Sequence, residues 1–427
     1  MDSTQITDSQ IVIRQRSSRA TPKDRLALYK TLLNSKVNLL SWFDKDVDFT
    51  KIKDSVEKGS ASASLAIFAV LKNKPGLKLF VKMSFGEAKD GLYYERLIYE
   101  NVATPLIDRH ITPCVVPMIA YIRVDNRYNK CDKKGRKTTK TKEVCDAIGR
   151  SNFQASTLVH GHALITEGTL GTTLSQWVKK FDDNDCATND DMMQIMFQLI
   201  YTLQCFAEIK LLHNDLHSGN VFVEPNREYK ELYFVVSSKK MVAMRPRYIL
   251  KIYDFDRSTK LESDITGFTR PIENKWLYEK MSYVYGAKPT WDPRIDIIRV
   301  LGSIYSRLPS RWKSFVGEIM RPQMIDAMYE SRKIAYVDTM CYIDPKKPRY
   351  SACVVKPRTT ARYAMSPKQV LDSNLFSGIY TSPGHFSNLN PENVFYLPSV
   401  ATFTRNKLLS GQFKRSGKYD SKSTSKP

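Results

Sequence analysis

The stretch that decides the fold class runs from Leu211 to Val223 and reads Leu-Leu-His-Asn-Asp-Leu-His-Ser-Gly-Asn-Val-Phe-Val. An apolar run leads into a polar loop that carries Asp215 and Asn220, and a second apolar run follows. Further along, another apolar segment leads into Asp254, which is followed by Phe and Asp. Carboxylate and amide oxygens are ligands that hard divalent cations prefer. The pattern therefore predicts a polar site at the ends of buried elements.

This arrangement resembles the protein-kinase-like superfamily, whose catalytic loop reads His-x-Asp-x-x-x-x-Asn and whose metal motif begins with Asp-Phe. The resemblance implies an α+β, bilobal protein-kinase-like fold with a small strand-rich N-lobe and a larger helical C-lobe. It also implies that Asp215 orients a substrate hydroxyl, and that Asn220 and Asp254 are the metal ligands. His213 is expected to pack within the loop and hold it in place.

Lys82 is a charged residue within the apolar segment Leu-Phe-Val-Lys-Met. Burying an ammonium group without a partner is costly, so a buried Lys82 requires a carboxylate nearby. The family supplies that carboxylate from the helix after the strand. We favour Glu95 over Glu100, because Leu92 and Tyr99 share the apolar face on which Glu95 lies. The resemblance makes Lys82 and Glu95 catalytic residues, whereas the alternative is an edge-strand lysine that points to solvent.

A run of small residues precedes the first strand, where the family carries a glycine loop whose backbone amides approach phosphates. Here Gly59 keeps its glycine, whereas Ala61 and Ser64 occupy the other two positions. The segment that ends in Thr166 and Glu167 resembles the family's connection that holds the adenine edge through its backbone. The resemblance implies ATP and Mg²⁺ as cofactors, with Mn²⁺ as the alternative ion. The nucleotide contacts that it implies are Gly59, Lys82, Thr166, Glu167, Asn220 and Asp254.

Four departures from the family pattern bear on the activity. Asn214 stands before Asp215, where many kinases carry the Arg that pairs with a phosphorylated activation loop, so we expect no dependence on that switch. His217 replaces the usual Lys of Ser/Thr kinases and is more typical of small-molecule kinases. Asp256 replaces the Gly of the metal motif, and the insert between Asn220 and that motif is longer than usual.

These divergent motifs are similar to those of the serine/threonine protein kinases of large cytoplasmic DNA viruses, of the iridovirus and poxvirus type. The resemblance covers roughly residues 55–310. It implies ATP-dependent phosphoryl transfer to Ser/Thr hydroxyls of proteins by a virion-associated enzyme, located in the host cytoplasm and the virion. Two alternatives stay open: a small-molecule kinase of the aminoglycoside or choline type, and a pseudokinase or scaffold that binds polyanions. The degenerate glycine loop favours a scaffold, whereas the retained Lys, Asp and Asn argue against one.

Asp296 lies in a segment that reads as an apolar helix. A buried Asp needs hydrogen-bond donors. In the family, the equivalent Asp accepts hydrogen bonds from the backbone of the catalytic loop, and we expect the same here. The other predicted elements are a helix over 26–43, strands over 65–71, 77–83, 115–124 and 162–166, and helices over 91–102, 174–178 and 191–209.

Composition and cysteine usage narrow the class of protein. The chain has 427 residues, of which 42% are hydrophobic and 26% charged, so it can bury a sizeable core and is not a disordered chain. Its 7 cysteines include no Cys-x-x-Cys pair, which argues against a zinc site and a disulfide framework. The polar start and the short apolar runs predict neither a secretory signal nor a transmembrane segment, and hence a cytoplasmic location.

The formal net charge of +22 favours acidic partners. Residues 126–150 hold nine Lys/Arg against three Asp/Glu, and residues 401–427 hold seven against one. We expect protein substrates, among them acidic proteins or nucleoprotein. The basic segments are expected to contact polyanions independently of sequence. The alternative is that both segments are solvated and have no partner. The predicted organisation is an N-terminal arm and helix (1–50), an N-lobe (51–168) with a basic insert (126–156), a C-lobe with a C-terminal extension (169–400) and a basic flexible tail (401–427).

Overall fold

The computed structural model describes fifteen parts of the chain. They are residues 26–27, 30, 46–48, 64–71, 74–84, 91–125, 160–169, 171–182, 188–227, 229–260, 293–320, 340–343, 351–354, 364–381 and 389–401. Gly59 and Ala61, the predicted basic segments and most of the helix predicted over 26–43 lie outside the described residues.

A five-stranded antiparallel sheet forms the first part of the described fold. Its strands are β1 (Val47–Asp48), β2 (Ser64–Leu71), β3 (Lys74–Ser84), β4 (Met118–Asp125) and β5 (His160–Glu167), in the order β1-β2-β3-β5-β4. The sequence predicts a turn over residues 72–76. In the structure, β3 already begins at Lys74, which pairs with Leu71 after a register shift. Extended backbone therefore continues through the Pro-Gly pair, which the sequence reading took as a turn signal.

The helix predicted over residues 91–102 is interrupted. Helix α1 (Gly91–Ile98) continues through a π-helical turn (Tyr99–Ala103) into helix α2 (Thr104–Asp108). Helix α1 packs against β3 and β5. A π-turn accommodates an extra residue in the helix, and such turns are frequent at functional sites.

A single long helix occupies the centre of the core. Helix α3 (Leu174–Asp182) precedes helix α4 (Asn189–Glu208), and all residues from 195 to 207 of α4 are buried. A helix that is buried on every face must be covered by other elements on all sides. Its N-terminus carries a capping box, in which the Thr188 side chain accepts from the Asp191 N–H and the Asp191 carboxylate accepts from the Thr188 N–H.

The part after β5 contains more strands than its predicted helical character suggested. Its first seven strands are β6 (Thr172–Thr173), β7 (Leu211–Leu212), β8 (Val221–Pro225), β9 (Leu232–Val235), β10 (Met241–Met244), β11 (Tyr248–Ile252) and β12 (Thr259–Lys260). Strands β11, β8 and β6 form one sheet, and β12 pairs with β7. The long insert after Asn220 is thus the β9–β10 hairpin, a structured element.

The C-terminal part adds helices to this arrangement. They are α5 (Arg294–Tyr305), α6 (Ser310–Ile319), α7 (Pro367–Asp372) and two 3₁₀ turns (Asn374–Ile379, Pro391–Asn393). The strands are β13 (Met340–Ile343), β14 (Ser351–Val354), β15 (Tyr380–Thr381) and β16 (Val394–Tyr396). Strands β15 and β16 join the inserted hairpin in a four-stranded sheet of order β15-β10-β9-β16.

One cluster of buried apolar residues extends from α1 through α4 and α5 to the C-terminal residues Phe395 and Leu397. The fold is therefore of the α+β class, with a shared core. Cys114 and Cys205 are buried within it. Across the described ranges, no helix combines the length and the apolar character that crossing a membrane requires.

Candidate active site

Lys82 lies near the end of β3, and Leu164 of β5 is its paired residue on one side. Residues alternate between the two faces of a strand, so Lys82 lies on the face opposite to the one that carries Val81 and Met83. Both of those residues are fully buried. Lys82 is itself 7% exposed. The solvent-facing lysine weighed in the sequence analysis is thus not what the structure shows, and the ammonium must find its partners inside the protein.

Two carboxylates from distant parts of the chain meet at this ammonium. Lys82 Nζ lies 2.8 Å from Glu95 Oε2 and 2.5 Å from Asp254 Oδ1. Glu95 is on α1, and its 2% exposure reflects the apolar face that the sequence indicated. Glu100 instead pairs with Arg96 at 2.8 Å, so it does not take the place of Glu95.

Asp254 follows β11 in the left-handed backbone region, with φ of 67°. A non-glycine residue in this region is uncommon and concentrates at sites where the surroundings impose it. The next residue, Phe255, is buried, and its ring packs edge-on against Tyr99 at 5.2 Å and beside His213 at 4.9 Å. The packing of Phe255 thus fixes the direction in which the Asp254 carboxylate points.

Lys82 has a third acidic neighbour. Asp256 Oδ2 lies 3.7 Å from Lys82 Nζ, so three carboxylates surround a single ammonium. Burial lowers the pKa of Lys82, but the three carboxylates outweigh it and hold that pKa well above its ordinary value. Burial, opposed by Lys82, raises the pKa of Glu95 to about 8. Burial and the neighbouring Asp254 also raise the pKa of Asp256.

The loop between β7 and β8 places Asp215 and Asn220 beside each other. The Asn220 Nδ2 group donates to the Asp215 carbonyl oxygen at 2.9 Å, so the amide oxygen is the end of Asn220 that a cation would contact. The Tyr253 N–H donates to the Asn220 carbonyl at 3.0 Å, which joins this loop to the segment that carries Asp254. Asp215 is 4% exposed and therefore lies within the fold.

Asp296 of α5 fixes the start of this loop. Its Oδ2 accepts from the His213 N–H at 2.7 Å, and its Oδ1 accepts from the Asn214 N–H at 3.0 Å. Burial raises the pKa of Asp296, and these two backbone bonds oppose that rise. The His213 ring contacts the Tyr253 carbonyl through Nε2 at 2.8 Å. The two donors expected for this buried Asp are thus the loop amides.

Two arginines that the sequence analysis left without a role contact Asp215. Arg257 Nη1 pairs with Asp215 Oδ2, and Arg299 Nη2 lies 3.5 Å from Asp215 Oδ1. Two signals in the sequence could have indicated them. Arg257 directly follows the Asp-Phe-Asp motif, and Arg299 lies three residues after Asp296 in α5, where the spacing puts both on one helix face.

His217 is neutral in this geometry. Its Nδ1 accepts a hydrogen bond from the Gly219 N–H at 3.0 Å, so that nitrogen carries no proton. Burial lowers the pKa of His217, which points in the same direction. The imidazole therefore does not supply the positive charge that a lysine would carry at this position.

The segment predicted to contact adenine is already hydrogen-bonded in part. The Glu167 N–H donates to the Pro117 carbonyl at 3.1 Å, and the Tyr253 hydroxyl donates to the Glu167 carbonyl at 3.3 Å. Thr166 is 2% exposed and lies opposite Phe80 in the sheet. An adenine contact at Glu167 would rest on the carbonyl oxygen, because the amide hydrogen is engaged.

The structure brings Lys82, Glu95 and Asp254 into direct contact, and it places Asp215 and Asn220 in the adjoining loop. Gly59 lies outside the described residues. Asp256, Tyr253 and the two arginines were missed as site residues. Within the described ranges, no group of three or more His, Cys, Asp or Glu side chains has an arrangement that could hold a metal ion. A cation site here would combine Asp254 with the amide oxygen of Asn220.

Comparisons with known proteins give little further information. No family model matches the chain, and no curated protein matches it. Among solved structures, the chain is similar to WaaP in complex with acyl carrier protein, with a TM-score of 0.36 and 9% sequence identity over 72% of this chain and 96% of that chain. A TM-score of 0.36 does not establish a shared function.

Proposed function

We propose that this protein transfers a phosphoryl group from ATP to a hydroxyl group. The observation that carries the proposal is the buried contact of Lys82 with both Glu95 and Asp254, beside a loop that holds Asp215 and Asn220. A buried ammonium with an excess of carboxylates suits the alignment of a triphosphate bound with a divalent cation. A purely structural lysine would need one carboxylate partner.

The charges of the site fit a divalent cation. Asp254 and Asp256 both approach the ammonium of Lys82, and Asp256 Oδ1 is buried without a hydrogen-bond partner among the described residues. Asp254 and Asn220 would hold Mg²⁺, or Mn²⁺ in its place, because Mg²⁺ usually takes one or two protein oxygens together with phosphates. Bound ATP would supply the transferable phosphoryl group, and the cation would offset charge on the phosphates.

Each remaining residue has a role in this proposal. Asp215 orients the acceptor hydroxyl and accepts its proton, and Lys82 aligns the phosphates while Glu95 holds Lys82. The backbone around Thr166 and Glu167 would contact adenine, and Gly59 would belong to a loop over the phosphates. Asp296 keeps the catalytic loop in position through the two backbone amides.

The proposed architecture is a two-lobed protein-kinase-like fold. In this proposal, strands β2 to β5 with α1 form the smaller lobe (51–168), and the elements around α4 form the larger one (169–400). The buried pair between β3 and α1, together with the loop before β8, supports this assignment. The proposal of a viral, virion-associated enzyme is supported by the sequence motifs alone.

The acceptor that we propose is a Ser or Thr hydroxyl of a protein, with acidic proteins or nucleoprotein favoured by the charge of +22. A small-molecule acceptor is the second candidate, and the observation that favours it is the neutral His217 at the position of the usual lysine. Phosphoryl transfer to an acidic and a basic protein, and to an amino sugar and choline, separates the two. Acidic acceptors should react less as salt rises, since screening weakens charge attraction.

The experiment that tests the activity replaces Asp215 by Asn and follows transfer from labelled Mg-ATP. We expect Asp215→Asn to lower kcat by about 10²–10⁴-fold, the range for losing a proton acceptor, with Mg-ATP binding retained in a thermal-shift assay. Asp190→Asn is the matched control, because Asp190 is an exposed carboxylate in the first turn of α4.

Three outcomes would contradict the proposal. A wild-type protein that binds Mg-ATP but labels no acceptor would have a scaffold function. An Asp215→Asn variant as active as the control would remove Asp215 from the chemistry. A wild-type protein with no thermal shift on addition of Mg-ATP would refute the nucleotide site itself.

A further inference from the structure

The carboxylate of Asp215 lies between two guanidinium groups, and the two differ in exposure. Arg257 contacts Asp215 Oδ2 and its side chain is 26% exposed, whereas the Arg299 side chain on α5 is 5% exposed and lies nearer Oδ1. The oxygen Oδ2 is thus engaged by the arginine with greater access to solvent. The guanidinium on Oδ2 occupies one acceptor position of that oxygen, and its departure would leave the oxygen more open to a hydroxyl.

Phosphoryl transfer needs positive charge near the moving group, because negative charge on its oxygens must be stabilised in the transition state. The residue two positions after Asp215 is His217, which is neutral, since its Nδ1 accepts from the Gly219 N–H. Lys82 is held by three carboxylates at the other side of the site. Arg257 brings a permanent cation into contact with Asp215 itself.

The backbone of Arg257 is fixed to the catalytic loop. Asn214 Nδ2 donates to the Arg257 carbonyl at 3.1 Å and contacts Thr259 Oγ1 at 3.1 Å. Ser258 Oγ donates to the His213 carbonyl at 3.3 Å, and β12 continues the attachment by pairing with β7. Asn214 thus holds the chain of Arg257 beside Asp215, and the long side chain can change partners from this fixed base.

We infer, on the premise of the proposed function, that Arg257 is a further catalytic residue that exchanges Asp215 for the oxygens of the transferred phosphoryl group. In the step, the acceptor oxygen forms its bond to phosphorus while the bond from phosphorus to the ADP oxygen breaks, and the electron pair of that bond leaves with ADP. The hydroxyl proton passes to Asp215, whose Oδ2 the departure of Arg257 has freed. Arg257 therefore releases the proton acceptor and stabilises the developing charge.

The test compares Arg257→Ala and Arg257→Lys with wild type, and Arg245→Ala is the matched control. Arg245 is also an arginine paired with a carboxylate, Glu231, but its side chain is 79% exposed on the β9–β10 hairpin. We expect Arg257→Ala to lower kcat by about 10²–10³-fold, as for loss of one preorganised donor, and Arg257→Lys to restore part of the activity. Arg245→Ala should match wild type.

Nucleotide binding gives a readout that is independent of turnover. By calorimetry, Arg257→Ala should weaken binding of Mg-ADP with aluminium fluoride, a mimic of the moving phosphoryl group, by roughly tenfold or more, while Mg-ADP alone stays within about twofold. The same loss should appear when Arg257→Ala is added to Asp215→Asn. An arginine that merely positioned Asp215 would show no further loss in that background.

Three results would overturn the inference. The first is that Arg257→Ala weakens the binding of Mg-ADP equally with and without aluminium fluoride. The second is that Arg257→Ala causes no further loss of this binding in the Asp215→Asn background. The third is that Arg257→Ala raises kcat, which would make the contact with Asp215 inhibitory. Thermal denaturation of each variant checks that it folds. Failure of the proposed function looks different, because Asp215→Asn would then transfer phosphate normally or the wild type would not bind Mg-ADP.

Discussion

Lys82 and Glu95 show how much the environment decides what a charged residue does. Each would be ordinary on the surface, but burial makes an unpaired charge costly, so each depends on the other and on Asp254. The excess of carboxylates has a further effect. Because burial raises the pKa of Glu95 to about 8, its protonation changes within the physiological range of pH.

This pKa predicts a dependence of stability on pH. Between the ordinary pKa of 4.5 and about 8, the folded protein keeps a proton on Glu95 that the unfolded chain has lost. Stability therefore falls as pH rises through this window, by up to about 1.4 kcal/mol per pH unit. Glu95→Gln lacks this loss, so the Tm of the variant minus that of wild type should increase from pH 5 to pH 8.

Thermal denaturation of both proteins across that pH series measures the difference. Glu318→Gln is the control, because it removes an exposed carboxylate from α6. The Tm of this variant minus that of wild type should stay constant across the pH series. A difference that shrinks towards pH 8 would mean that Glu95 is ionised in the folded protein and stabilised by Lys82.

Helix α5 shows how one element can organise a loop. Its buried Asp296 accepts the amides of His213 and Asn214, and Ser303 Oγ accepts from the Ser218 N–H at 2.9 Å. The loop between β7 and β8 is therefore held by side chains of a helix that is more than eighty residues away in sequence. The geometry of Asp215 depends on these contacts as well as on its own loop.

Asp296→Asn tests how much the contacts of Asp296 contribute to stability and to activity. An amide offers one acceptor oxygen, so one of the two loop N–H groups would lose its partner and face an NH₂ group. We expect a loss of about 1–3 kcal/mol in stability, together with a lower kcat from a loosened loop. Urea denaturation and the transfer assay measure the two effects.

The control for this variant is the Glu318→Gln substitution on the neighbouring helix, which should change neither stability nor kcat. If Asp296→Asn kept the stability and the activity of wild type, the loop would be held by the His213 and Asn214 side chains instead. Loss of stability with full activity would limit Asp296 to a role in folding.

The molecule as a whole is held together by a C-terminal part that the sequence motifs do not cover. Strand β16 pairs in parallel with β9 of the inserted hairpin. Phe395 of β16 is 1% exposed and packs near Phe234, Tyr229 and His110. The insert and the C-terminal strand therefore depend on each other, and both join the core that contains α4.

Phe395→Ala tests this dependence. Removal of a buried aromatic side chain should cost about 3–5 kcal/mol, through lost apolar burial and the cavity that remains. The measurement is chemical denaturation, with Lys368→Ala as the control because the Lys368 side chain is 69% exposed on α7. A cost below that of the control would show that β16 contributes little to the core.

The sequence alone predicted the loop that carries Asp215, the strand that carries Lys82 and the helix that carries Glu95. The apolar runs around Asp215 and the lysine within an apolar strand are local patterns, and periodicity reports local structure well. The face of α1 that carries Glu95 was likewise readable from its spacing. The π-turn after Ile98 and the early start of β3 could not be predicted from the sequence, because tertiary packing determines where a regular element is interrupted.

Tertiary structure alone decided which charges meet. Arg257 and Arg299 act on Asp215 from positions 42 and 84 residues away, and no local pattern contains such distances. The role of Asn214 was also hidden, because its side-chain partners lie on a strand that folds back against the loop. Sequence periodicity reports which side chains are buried, whereas the partners of a buried charge depend on how the chain folds in three dimensions.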